Sequence, residues 1–329
     1  MVVHLLPCKQ NMKKYKAAII GCGNVAGMYG DPANHSVPTH ASAYALNDQT
    51  TIVGAMDINQ EQLERFCNKW SIKNGYTDLV SMMDEQLPEI ISICSPTKDH
   101  YTHFKILSDY NIAAIFAEKP LSDGLNECQD IVELTKNTPV AVNYFRRWNE
   151  DLKHLKDELN QGLYGEIKKI TTHYTKGLIN NGSHLLDLLL WFFNELYLQK
   201  TIKLFPVVNN DRGADFLMSL DNGADVHFIH VPDLNYVYIE VVILCENSVI
   251  NITQRGQKVQ IYRKQVDPDY YVFNKLELTQ DYETDWRSCF NNALGNLISS
   301  MESNKKIICK PMDALRVIDY CDEIIKSGL

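Results

Sequence analysis

A two-domain α/β chain is predicted: an N-terminal doubly wound parallel sheet, then a C-terminal α+β domain with a large, mostly antiparallel open-faced sheet. Three observations predict it. Between Tyr15 and about Asn143, short uninterrupted apolar runs alternate with stretches of helical spacing, the signature of a parallel sheet covered on both faces. A glycine-rich turn follows the first of those runs. Beyond Thr201, strand-like segments succeed one another without helices between them, and consecutive strands of this kind pair antiparallel.

In chain order, the apolar runs Tyr15–Ile20, Thr51–Met56, Ile90–Cys94, Ala113–Ala117 and Val140–Val142 predict strands. Helices are predicted near His40–Asn47, over Gln60–Trp70 (Leu63, Phe66 and Trp70 share a face), Tyr101–Tyr110 and Leu125–Lys136. The second half predicts a helix over Asn149–Leu159, a strand over Ile167–Thr175 and a helix from about Ser183. Six strands follow, over Thr201–Val208, Ala224–His230, Val237–Leu244, Val249–Thr253, Lys258–Arg263 and Tyr271–Leu278. Two closing helices span about Trp286–Ser300 and Met312–Ile325. The domain boundary falls at 143/144, so that residues 12–143 form the first domain and 144–329 the second. Residues 1–11 read as a tail contributing little to the fold.

Composition narrows the function. The 329 residues carry a formal net charge of −9, which argues against a nucleic-acid footprint. No apolar run approaches the roughly 20 residues of a membrane span. Nine scattered cysteines without a C-x-x-C pair suit reduced thiols and a cytoplasmic location, not a zinc site or disulfide framework. His4, His35, His154, His173, His227 and His230 show no metal-like spacing and read as structural; no metal is expected.

Gly21-Cys22-Gly23-Asn24-Val25-Ala26 fits G-x-G-x-x-A directly after a strand. Small residues serve a tight turn, close approach of a pyrophosphate and helix–strand packing, with the phosphates on N–H groups at a helix N-terminus. Asp57 closes the second strand, where an acid binds ribose hydroxyls. Neither Ile58 nor Asn59 is basic, so NAD is favoured over NADP. The interval from Gly21 to Asp57 is long, and the excess sits in a loop over Gly27–Pro38. A surface turn acid is the plain alternative for Asp57.

Two further residues carry candidate chemistry. Lys119, in Glu118-Lys119-Pro120, follows an apolar strand and stands at a carboxyl strand end, where ligands of doubly wound sheets bind. Its alternative is a solvated turn lysine. His184 opens a helix behind Asn180-Asn181-Gly182-Ser183, and a histidine in a first turn is held neutral by the positive helix end. Its alternative is a core or capping histidine. Asp187, one turn on, faces the same way and is a candidate to orient the ring or bind substrate. Tyr174 and Lys176 end a strand just before this segment and are candidates to line the cleft. Arg146 and Arg147 offer a phosphate or carboxylate clamp, or an ordinary surface pair.

With these pieces in order, together with I-S-I-C-S-P-T-K-D-H at 91–100, L-N-Q-G-L-Y-G-E-I at 159–167 and P-M-D-A-L-R-V-I-D near the C-terminus, the chain resembles the glucose–fructose oxidoreductase / inositol dehydrogenase / MocA family. The resemblance implies a Rossmann domain with Ser95, Pro96, His100, Glu118 and Lys119 at the cofactor, Lys119 on the substrate hydroxyl and His184 as acid/base. A helix-capping role for His100 remains equally open. One departure is Asn180, where many sugar-alcohol dehydrogenases of the family have aspartate; members acting on nucleotide-linked sugars resemble this variant. The implied function is hydride transfer between NAD and a sugar hydroxyl/keto carbon, the sugar free or nucleotide-linked. The alternatives are an NAD-dependent glycosidase working by oxidation and elimination, and a non-catalytic NAD-binding regulator. A sheet covered on one face only predicts a homodimer or homotetramer.

Overall fold

The computed structural model describes residues 13–34, 37–232 and 234–329. The expected tail, His4 and His35 lie outside the described residues. The first half forms β1 (Tyr15–Ile20), a π turn (Asn24–Met28), α1 (His40–Leu46), β2 (Thr50–Met56), α2 (Gln60–Trp70), β3 (Gly75–Tyr76) and α3 (Leu79–Gln86). It continues with β4 (Ile90–Ile93), α4 (Thr97–Leu107), β5 (Ala114–Ala117), α5 (Leu125–Leu134) and β6 (Val140–Val142). The strands pair in parallel in the order β3-β2-β1-β4-β5-β6. The order reverses between β1 and β4, and the crevice at that point is where doubly wound sheets take ligands. β4 and β5 are buried at every position, which is why they read as unbroken apolar runs.

The second half comprises α6 (Glu150–Asn160), β7 (Ile167–Tyr174), a second π turn (Leu178–Gly182) and α7 (Ser183–Phe193). Then come β8 (Tyr197–Val208), β9 (Asp211–Ser219), β10 (Asp225–His230), β11 (Ile239–Cys245), β12 (Ser248–Thr253), β13 (Lys258–Val266) and β14 (Asn274–Glu283). α8 (Cys289–Ser303) and α9 (Pro311–Ser327) close the chain. The sheet runs β14-β13-β12-β11-β7-β10-β9-β8, antiparallel except where β7 and β10 pair in parallel. The fold class is therefore the expected one.

Two local readings need correction. β9 went unread because its opening, Asp211-Arg212-Gly213, is polar and turn-like; β8 supplies the pairing that makes it a strand. The full helix expected after the glycine turn is also absent. One π turn stands there, and the first α-helix begins only at His40, capped by Thr39 through a reciprocal contact with Ser42. The long 27–38 segment thus separates the turn from the helix.

One face of the large sheet is buried through Ile170, Phe228, Val241, Ile250 and Ile261. The opposite face alternates half-buried apolar groups such as Val242 and Leu244 with His173, His227 and Glu240, so it is mixed in character where an apolar one was expected. α8 and α9 return to the first sheet, contacting α1, α5 and the β5–β6 edge, and the Val142 N–H donates to Cys309 O at 2.9 Å. Among the described residues no helix is long and apolar enough to cross a membrane, and no group of histidine, cysteine and acidic side chains could hold a metal ion.

Candidate active site

The glycine turn and the β4 end meet closely. Gly21 has φ of +84°, and a Cβ there would lie 2.5 Å from the Ser95 backbone nitrogen, so only glycine fits. Asp57 closes β2 against the same turn. Its Oδ2 accepts the Cys22 N–H at 2.8 Å, and its Oδ1 accepts the Asn59 N–H at 2.8 Å. Ala26 is buried beneath the turn, whereas Gly23, Asn24 and Val25 reach its surface.

Lys119 leaves the carboxyl end of β5, and its peptide with Pro120 is cis. Glu118, just before it, points inward. Its Oε1 accepts from His40 Nε2 at 3.1 Å and from Asn143 Nδ2 at 2.6 Å. With Nε2 donating, His40 Nδ1 accepts from Ser92 Oγ at 2.8 Å, and Ser92 Oγ in turn accepts from the Tyr44 hydroxyl at 2.8 Å. Burial by itself would raise the Glu118 carboxyl; the bonds from His40 and Asn143 and the Lys119 charge outweigh it and hold it below the usual range. Glu118 is thus a buried anchor for the Lys119 turn. His100 does similar work: its ring, buried, spans the carbonyls of Pro120 at 3.0 Å and Ser95 at 2.9 Å.

The Lys119 ammonium donates to Asn180 O at 3.0 Å, four residues before His184. This bond brings Lys119 to the segment that opens the His184 helix, 65 positions on in the sequence. His184 is half-buried against the rings of Tyr144 and Phe145, with centroids 5.7 and 5.8 Å away. Burial, then the charges of Lys119 and Arg146, push its pKa well below the ordinary histidine value. Burial likewise lowers Lys119, opposed by Glu118 and Asp211 and assisted by Arg146 and Lys176.

Lys119 and Asn180 open onto a cleft of about 1260 Å³ between the two sheets. Pro96, Thr97 and Pro120 form its first wall, and Lys176, Asp211 and Phe205 its second. Lys176, exposed two residues beyond β7, is among the residues lining the cleft.

His184 is not among the residues that line this cleft, and three further candidates, Tyr174, Asp187 and Arg146, do not line it either. The Tyr174 hydroxyl is buried and spent on Ala214, donating to its oxygen at 2.6 Å and accepting its N–H at 3.0 Å. Asp187 turns away from His184 to Arg147, whose Nε lies 3.0 and 3.1 Å from the two carboxylate oxygens and whose Nη2 lies 2.9 Å from Oδ1. Arg146 is buried against the turn at 254–256, donating from Nε to Arg255 O at 2.9 Å, with its guanidinium over the Phe145 ring. Burial lowers its pKa to about 10. Of the adjacent arginines, one holds an internal carboxylate and the other packs against the 254–256 turn of the same domain.

Asp211 is the residue that sequence reasoning missed. Reaching in from the β8–β9 turn, it accepts the N–H groups of Ile179 (3.1 Å), Asn180 (2.8 Å) and Arg212 (2.8 Å). A Cβ at Gly177 would stand 1.9 Å from its carboxylate. Asp211→Ala is expected to loosen the 178–182 turn and destabilise the fold by about 1 kcal/mol, since the half-buried Ile179 N–H and the exposed Asn180 N–H lose a charged acceptor. Chemical denaturation measures it; an unshifted midpoint would show that the contact is idle.

Residues 15–145 match the profile of an oxidoreductase family with an NAD-binding Rossmann fold. That match spans the parallel-sheet domain, less than half of the chain, and makes it similar to the glucose–fructose oxidoreductase / inositol dehydrogenase / MocA oxidoreductases. A D-glucoside 3-dehydrogenase of Escherichia coli K12 is 23% identical to it over 154 residues, 46% of this chain and 41% of that protein. The match thus spans less than half of that relative's length. Levoglucosan dehydrogenase, solved in complex with NADH, shares the fold with a TM-score of 0.78 at 13% identity, covering 96% of this chain and 97% of the other. UDP-N-acetylglucosamine 3-dehydrogenase from Acidithiobacillus ferrooxidans does so with a TM-score of 0.72 at 14% identity, covering 96% and 98%.

In the matched Rossmann domain the local chemistry fits a nicotinamide dinucleotide. A Cβ on Gly23 would meet nothing within 4 Å, so the turn backbone is open to close approach. Asp57 presents a carboxylate beside it for ribose hydroxyls, with no cation at 58 or 59 to favour a 2′-phosphate.

Proposed function

We propose that this chain is an NAD-dependent dehydrogenase or reductase that moves hydride between nicotinamide and a hydroxyl- or keto-bearing sugar carbon. One observation supports the reading most: Lys119 Nζ donates to Asn180 O at 3.0 Å, four residues before His184, at the carboxyl edge of the parallel sheet. Bound NAD would supply the hydride acceptor, held by the Gly21–Ala26 turn and by Asp57. Lys119 Nζ donates to the reacting oxygen and stabilises the negative charge that grows there. The His184 imidazole, kept neutral, takes the hydroxyl proton during oxidation and returns it during reduction. Asn180 presents an amide to a neighbouring hydroxyl.

The size of the cleft and the presence of Lys98, Lys176 and Lys203 along it support a nucleotide-linked sugar as the finer substrate class. The test is production of reduced nicotinamide across nucleotide sugars, free sugars and polyols. No turnover with any of them, despite tight NAD binding, would favour the regulator reading.

The His184 shift sets the pH dependence. A histidine lowered below about 6.5 remains a proton acceptor as pH falls through that value. The acid limb of kcat/KM for oxidation is therefore expected well below pH 6.5, and lost in His184→Asn. An acid limb at the ordinary histidine value would contradict the buried assignment.

The half-exposed sheet face is proposed as the contact of a homodimer or homotetramer. Light scattering at micromolar concentration checks this, and a monomer would end it.

A further inference from the structure

A second pocket, of about 610 Å³, lies away from the cleft between α6, α7 and the start of α9. Five cations line it: Arg147, Lys156, Lys306, Lys310 and Arg316. Only two acids do, Glu195 and Asp313. That balance opposes the chain as a whole, whose net charge is −9. Each acid is already engaged. Glu195 pairs with Arg316, and Asp313 accepts the Lys310 N–H at 2.9 Å while lying 3.4 Å from Arg147 Nη1.

The lysines are not so engaged. Among the described residues, Lys156, Lys306 and Lys310 form no ion pair; Lys156 lies over the Trp191 ring at 5.6 Å. Lys306 and Lys310 are exposed at the rim, and the mostly buried Arg147 forms part of the lining. Like charges gathered on a concave surface repel one another, and their summed field attracts an anion. Ammonium groups act as point charges well suited to phosphate oxygens, and the partly apolar wall of Leu190 and Trp191 lowers the local dielectric, which strengthens that attraction.

We infer that this pocket binds a small multivalent anion of the phosphate class, at a site separate from the cleft. The inference does not rest on the dehydrogenase reading. The site does touch the catalytic helix, because Arg147 holds Asp187, one turn after His184.

The test uses the full chain and inorganic pyrophosphate at low ionic strength, followed by calorimetry and by thermal unfolding. Wild type is expected to bind saturably and to melt at a higher temperature, with no such rise in sodium chloride of matched ionic strength. Lys306→Glu combined with Lys310→Glu, both exposed and outside the catalytic set, is expected to weaken binding roughly 100-fold and to leave turnover without pyrophosphate unchanged. Lys119→Met is expected to keep the pyrophosphate response. Citrate, run in parallel, tells a phosphate preference from a carboxylate one, and saturable binding of citrate but not of pyrophosphate would overturn the phosphate class. The inference fails if wild type shows no saturable binding of either anion, if the double variant binds as wild type does, or if Lys119→Met abolishes binding, which would place the anion in the cleft.

Discussion

Lys119→Met is expected to lower kcat/KM by about 10²–10⁴-fold while the protein still folds and still binds NAD. Methionine keeps the length of the side chain and its apolar contacts, and removes the ammonium that donates to Asn180 O and would donate to the reacting oxygen. The lost stabilisation belongs to charge that exists only in the transition state, so the loss falls on kcat more than on KM. His184 gives a second readout. The Lys119 charge is one of the causes holding its pKa down, after burial, so in Lys119→Met the residual acid limb moves towards higher pH. Steady-state kinetics over a pH series measure both. Unchanged turnover would remove Lys119 from the chemistry, and a large loss with an unmoved limb would separate it from His184.

Arg147→Leu is the largest stability effect expected, about 3–5 kcal/mol. Asp187 is buried in α7 and meets Arg147 through Nε and Nη2. Removing the arginine leaves the buried Asp187 carboxylate without its paired cation, and the Nη1 contacts to Ile308 O and Asp313 go as well. The double change Arg147→Leu, Asp187→Leu removes both charges and is expected to recover much of that loss, because a buried pair replaced by apolar groups is often near neutral. Urea midpoints at constant slope give the cycle. A single variant as stable as wild type would mean the pair contributes little.

Only part of the candidate site was legible in the sequence. The glycine turn, Asp57, Lys119 and the segment from Asn180 to His184 are marked by local patterns, each at the end of an apolar run or the start of a helix. Glu118, expected at the cofactor, points inward to His40 and Asn143, partners that carry no mark of their own in the sequence. Tyr174 ended a strand exactly as a cleft residue would, yet its hydroxyl meets Ala214 on a strand not recognised in the sequence. Asp187 lay one turn from His184, as an orienting carboxylate would, but Arg147 lies closer to it than any ring nitrogen needs to be.

What the sequence by itself determined is the order of the strands and the ends at which chemistry gathers. Apolar runs, turn glycines and strand-end polar residues are short-range properties, set by backbone sterics and by which side chains tolerate burial. Only the tertiary structure decided the partners. It sent Arg147 to Asp187 and Arg146 to the 254–256 turn, and it brought Asp211 from the β8–β9 turn to the backbone at Asn180. A hydrogen bond is chosen by proximity after packing, and packing joins elements that no local pattern relates.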